Sequence, residues 1–146
     1  MSDFIKKRNG FVTNSSSSSF IIVCVETKDG KNYRAEYNSG DNRMVGEDDF
    51  NPNKKFFENL TSGEELMGEV FDWFKETFSD PYMPEEFDYS EGDVNAIKAL
   101  SVDEMKKVSF ESMIDFEDFA IGSDVTYNFE TKKRTRKKTG YDFDDY

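Results

Sequence analysis

At 146 residues the chain is long enough for one domain with a real core, and its 15 Phe and 7 Tyr let that core be built from few, large side chains. No histidine occurs, which removes the usual general base of serine and cysteine hydrolases and the commonest metal ligand. The formal net charge of −12 argues against nucleic acid or a membrane surface as partner of the body and favours basic partners.

The charge is segregated. Residues 1–46 carry seven basic and five acidic side chains, and residues 47–130 carry six basic and 23 acidic ones. The segment 131–138 holds six basic residues and no acid, and 139–146 adds three acids. Residues 1–10 lack the apolar stretch of a signal peptide, and the apolar run 20–25 is far short of the ~20 residues a membrane helix needs. The single cysteine, Cys24, fits a reducing compartment. Cytoplasmic residence is the expectation, and since Cys24 falls inside the apolar run, a buried structural role is expected for it.

In chain order, the serine run Ser15–Ser19 leads into Phe20-Ile21-Ile22-Val23-Cys24-Val25, short and rich in β-branched residues, which predicts a buried strand. Asp29-Gly30 signals a hairpin, and Tyr33, Ala35 and Tyr37 share one face of the return strand. Residues 38–53 read as a loop. The clearest element is a helix over 62–78. Ser62 and Glu65 are spaced as a capping box, and Leu66, Met67, Val70, Phe71, Phe74 and Phe78 fall on one face, with Trp73 at its edge. Asp80-Pro81 ends it.

A second helical stretch is predicted over about 93–107, with a break at Ser101, where Ser101 and Glu104 repeat the capping box. Val108, Phe110 and Ser112 then alternate as a strand does. Gly122-Ser123 reads as a turn into a last strand carrying Val125, Tyr127 and Phe129. The fold class expected is α+β: an antiparallel sheet of about four strands in β-β-α-α-β-β order, with helices on one face. The expected organisation is a serine-rich lead-in over 1–19, one acidic domain over 20–131, and a basic, then acidic-aromatic tail over 132–146.

At Gly10-Phe11-Val12-Thr13-Asn14, the serines that follow and Phe20-Ile21, the chain resembles small proteins of bacteriophages, and some of bacteria, that open on a glycine-phenylalanine-valine-Ser/Thr-asparagine-serine-run-phenylalanine motif. The resemblance covers residues 10–21. It implies a phage or phage-derived origin and brings no activity with it.

No catalytic, cofactor or metal constellation stands out. Asp88-Tyr89-Ser90-Glu91-Gly92-Asp93 is the nearest approach to a calcium loop, but its glycine comes one position early and no closing glutamate follows. On the other face of the 62–78 helix, Glu65, Glu69, Asp72 and Glu76 form a stripe. Its carboxylates lie about 5–6 Å from their neighbours, close to the repeat of phosphates along a nucleic-acid strand. The leading expectation is therefore a non-enzymatic acidic binding protein that inhibits a host nucleic-acid-binding protein by imitating nucleic-acid charge. Its stripe would meet the lysines and arginines of a basic host protein, with Trp73 as an aromatic anchor. The competing expectation uses Lys132, Lys133, Arg134, Arg136, Lys137 and Lys138 to contact nucleic acid. A virion or structural accessory role is the third.

Overall fold

The computed structural model describes residues 19–39, 49–77, 91–116 and 119–142. In chain order these form strand β1 (Ser19–Thr27), β2 (Asn32–Ser39), helix α1 (Lys54–Glu58), α2 (Gly63–Thr77), β3 (Glu91–Gly92), α3 (Val94–Lys98), a 3-10 turn (Val102–Glu104), β4 (Met105–Phe116), β5 (Phe119–Asn128) and β6 (Lys133–Asp142). The strands make one antiparallel sheet in the order β3-β2-β1-β4-β5-β6. Five are long, and β3 adds a two-residue edge. The α+β class is thus as the sequence implies, but the sheet is larger and its strand order different.

Period-two alternation explains the layering. Across the sheet, Ala35, Val23, Phe110 and Val125 stand side by side, as do Tyr33, Val25, Val108 and Tyr127. The helices pack on this face. Phe57 of α1 stacks on Tyr127 at 4.6 Å between ring centroids and lies 5.9 Å from Phe110. Phe74 and Phe71 of α2 approach Tyr37 at 6.0 and 5.6 Å. Leu66, Met67, Val70 and Phe74 are fully buried, so the predicted apolar face of the long helix does form the centre of the core.

Ser62 caps α2 by accepting from the Glu65 backbone N–H at 3.0 Å. The helix starts hard against α3. A Cβ on Gly63 would stand 1.8 Å from the Ile97 carbonyl oxygen, while the Gly63 N–H donates to the Leu100 carbonyl at 2.8 Å. No other residue fits there without moving α3. Phe78 and the Asp80-Pro81 stop lie outside the described residues, as do residues 1–18 with most of the serine run. Ser19, assigned to the lead-in, is instead the buried first residue of β1.

Four expectations are corrected. The loop expected over 38–53 loses its first two residues, Asn38 and Ser39, to β2, and its last, Asn53, caps the unforeseen helix α1 (Lys54–Glu58) by accepting from the Phe56 N–H at 3.0 Å. The stretch 93–107 is a five-residue helix, then the 3-10 turn with its Ser101–Glu104 capping box, and already β4 from Met105. Gly122-Ser123 is no turn but the middle of β5. A Cβ at Gly122 would meet the Ser112 carbonyl and the Thr139 hydroxyl oxygens at 2.6 Å each, so this glycine serves close strand packing. Finally, the basic segment is not a tail: β6 pairs with β5 from Lys133 to Asp142.

Candidate functional site

The outer face of α2 carries Glu65, Glu69, Asp72 and Glu76, and all four are exposed. At 3.6 residues and 5.4 Å per turn they fall within about 60° of the helix circumference and along about 16 Å of its length. Glu69, Asp72 and Glu76 make no ion pair among the described residues. Lys75, the cation nearest in sequence, places its ammonium 5.0 Å from the centre of the Phe71 ring, so it does not neutralise the stripe.

Glu65 has a second task. Its Oε1 accepts from the Thr61 backbone N–H at 2.7 Å and from the Thr61 hydroxyl at 2.8 Å. These bonds, the backbone one foremost, hold its carboxyl below the ordinary glutamate value. The carboxylate therefore stays charged at the helix N-terminus, where the dipole favours it. Trp73 does not join the stripe. It is half-buried, 5.5 Å from the Phe50 ring and 6.2 Å from that of Phe74, and its work in the core removes it from the candidate anchors. Glu69 also rims a shallow hollow of about 340 Å³ lined by Phe50, Asn51, Pro52, Asn53 and Phe56.

The basic run has a different character. The two apolar rows of the helix-facing side end on arginines, because Val125 pairs with Arg136 and Tyr127 with Arg134. Arg134 donates through Nε to the Pro52 carbonyl at 2.7 Å and through Nη2 to Asn51 Oδ1. Arg136 donates through Nη2 to Asp49 Oδ2 at 2.9 Å. Burial pushes the Asp49 carboxyl up, but hydrogen bonds from Ser123 and Arg136 and the arginine's charge outweigh it and hold the group below its ordinary value. The same loop is tied from below, where Phe50 N–H donates to Ser112 Oγ at 3.2 Å and the one Ser123 hydroxyl proton is shared between Asp49 and the Phe50 carbonyl, 3.3 Å from Oγ. Arg134 and Arg136 are thus clamps that seat Phe50 in the core. In the sequence they read as part of a uniform basic run, and their period-two spacing is the signal that sets them apart.

The remaining cations of the run are exposed. Lys133 and Lys137 face the side of the sheet away from the helices, Lys138 faces the helix side, and Lys132 sits in the preceding turn with φ 58°. On that far side, Lys137 stands beside Asp124, and Asp124 beside Glu111. Burial raises the Asp124 carboxyl above its ordinary value, with the charge of Lys137 pulling the other way. Glu36 is buried there too, paired to Arg34 at 2.9 Å.

Cys24, expected to be buried, is exposed. The apolar run presents alternate residues to opposite faces, and Cys24 points away from the helices beside Arg34 and Ser109. Phe20 and Ile22 on the same face are buried at 2% and 4% exposure. Among the described residues, no group of three His, Cys, Asp or Glu side chains is placed to hold a metal ion. Of the calcium-loop lookalike, residues 88–90 lie outside the described residues, and Asp93 Oδ2 accepts from the Arg34 backbone N–H at 3.0 Å. No helix among the described residues is long and apolar enough to cross a membrane. Comparison with protein-family models, with curated proteins and with solved structures found no match for the chain.

Proposed function

We propose that the chain is a non-enzymatic binding protein whose α2 stripe occupies a basic, nucleic-acid-binding groove on another protein. The observation that carries this reading is the exposure of four carboxylates on one narrow arc of a rigidly seated helix, three of them with no ion pair among the described residues. Like charges three and four residues apart cost a helix a few tenths of a kcal/mol per pair, a cost offset when partner lysines and arginines arrive. Leu66, Met67, Val70 and Phe74 beneath it are fully buried, so the stripe is presented without conformational search. Complementary charge of this kind sets association rate and selectivity.

The opening motif supports a phage-encoded source, and with it a partner in the cytoplasm of a bacterial host. Nucleic-acid contact through the basic run is the weaker reading, because Arg134 and Arg136, whose guanidinium forks suit phosphate best, are engaged with residues 49–52. The test passes the protein over immobilised duplex DNA and, separately, over a bacterial lysate cleared of DNA. Capture of a basic protein that added DNA releases supports the proposal. Retention on the DNA column at moderate salt, with nothing captured from the lysate, overturns it.

A further inference from the structure

Strand β6 ends the sheet, and its outer edge is unpaired among the described residues. It runs for ten residues, Lys133–Asp142. Such a length of open backbone donors and acceptors is a template for another strand. Its side chains decide which strand. Lys133, Lys137 and Lys138 are exposed, Lys132 precedes them, and the run 132–138 contains no acid.

A second copy of β6 is the poorer fit, since full-length antiparallel pairing would set Lys137 against Lys138 and parallel in-register pairing would set every cation against its like, and like charges directly opposite in a strand pair are destabilising. Nucleic acid fits poorly as well. Its backbone offers phosphate acceptors but no donors to match the strand's carbonyls, and both arginines are turned to the loop at 49–52. An acidic polypeptide satisfies both demands, giving main-chain hydrogen bonds along the edge and carboxylates for the lysines on either side. The acidic stripe does not prevent this. The stripe lies on the outer face of α2, turned away from the sheet, whereas the free backbone groups of β6 point outward in the plane of the sheet.

We infer that the outer edge of β6 is a second docking surface, which accepts an extended acidic segment of a partner protein as a seventh antiparallel or parallel strand. The surface is separate from the α2 stripe, so it stands or falls independently of the proposed function. Perturbing the ligand instead of the protein avoids any question of misfolding. Fluorescently labelled (Glu-Thr)5 peptide is titrated with the full chain and followed by anisotropy. The same is done with (Lys-Thr)5, with (Glu-Thr)5 N-methylated at its four central amides, and with a 20-nucleotide single-stranded DNA. The expected result is saturable binding of (Glu-Thr)5 alone, weakened at least tenfold by N-methylation and slowing hydrogen exchange of amides within residues 133–140. Lys133→Gln with Lys137→Gln should weaken it several-fold while leaving the circular dichroism spectrum unchanged. Undiminished binding of the N-methylated peptide, tighter binding of the DNA, or no binding of (Glu-Thr)5 each overturns the inference.

Discussion

The outer face of α2 and the edge strand β6 are both runs of like charge, and they behave differently. On α2 a four-residue acidic stripe projects from a helix whose other face does all the packing. On β6 the charges are divided by the strand's alternation. Arg134 and Arg136 continue the core-facing rows and hold the loop at 49–52, whereas Lys133 and Lys137 face the opposite side. A helix separates a charged arc from its packing arc by about 100° per residue, whereas a strand sends every second residue inward. Like-signed runs in sequence are thus not equivalent surfaces. The helical one is available to a partner as a unit, and the strand one is half structural.

The largest effect that sharpens this contrast lies on the inner face of α2. Phe74→Ala should cost about 3–5 kcal/mol, because the ring is fully buried, whereas replacing Glu69, Asp72 and Glu76 together by their amides should leave stability within about 0.5 kcal/mol or raise it. Urea denaturation of the two variants checks both. A loss below about 1 kcal/mol for Phe74→Ala would contradict the packing described.

Next in size, Arg136→Gln or Arg134→Gln should each cost about 1–2 kcal/mol, as a charged hydrogen bond to a partly buried acceptor does. Lys133→Gln and Lys137→Gln should each stay within about 0.5 kcal/mol. Equal losses for arginines and lysines would erase the division of β6 into structural and surface cations.

Smaller still are two pH effects of opposite sign. Asp49 has a lowered carboxyl pKa in the fold. Its contribution is therefore present above the unfolded value of 3.8 and disappears as pH falls through the folded value. The stability gap between the wild type and Arg136→Gln should accordingly close as pH drops below 3.8. Asp124 is raised, so its ionised form is disfavoured by folding and stability is lost as pH rises from 3.8 through the folded value. Asp124→Asn should stabilise the protein at pH 7 and be neutral in strong acid. Thermal melts from strong acid to neutral pH read both trends.

Much of the fold was legible because local and tertiary demands agree. The Ser62 cap and the 3.6-residue spacing that follows mark α2, and the capping box at Ser101–Glu104 is present as read. Phe110 and Val108 alternate as they must to face the helices. What escaped had no local periodicity to show. Helix α1 is one turn and a half, held by Asn53 and by Phe57 against Phe110 and Tyr127. Strand β6 puts arginines where a strand ordinarily puts apolar side chains, so hydropathy could not reveal it. Cys24 was misjudged because an unbroken apolar run hides which of its residues face away from the helices. The stripe was legible residue by residue, and Trp73 was not, since only the packed Phe50 ring shows that the indole belongs to the core.

The central claim is that the α2 stripe, as an arranged surface and not as mere net charge, captures a nucleic-acid-binding protein. It is tested by comparing capture of the DNA-releasable basic protein from lysate by three chains. These are the wild type, the stripe variant (Glu65→Gln, Glu69→Gln, Asp72→Asn, Glu76→Gln) and a scattered variant of equal charge (Glu58→Gln, Glu64→Gln, Asp103→Asn, Glu130→Gln), all at exposed positions. The amide oxygen that Glu65→Gln introduces can still accept from Thr61, so the helix cap survives in the stripe variant. Capture should fall at least tenfold for the stripe variant, change little for the scattered one, and weaken steeply with salt for the wild type. Equal losses from the two variants, or full capture by the stripe variant, would contradict the account.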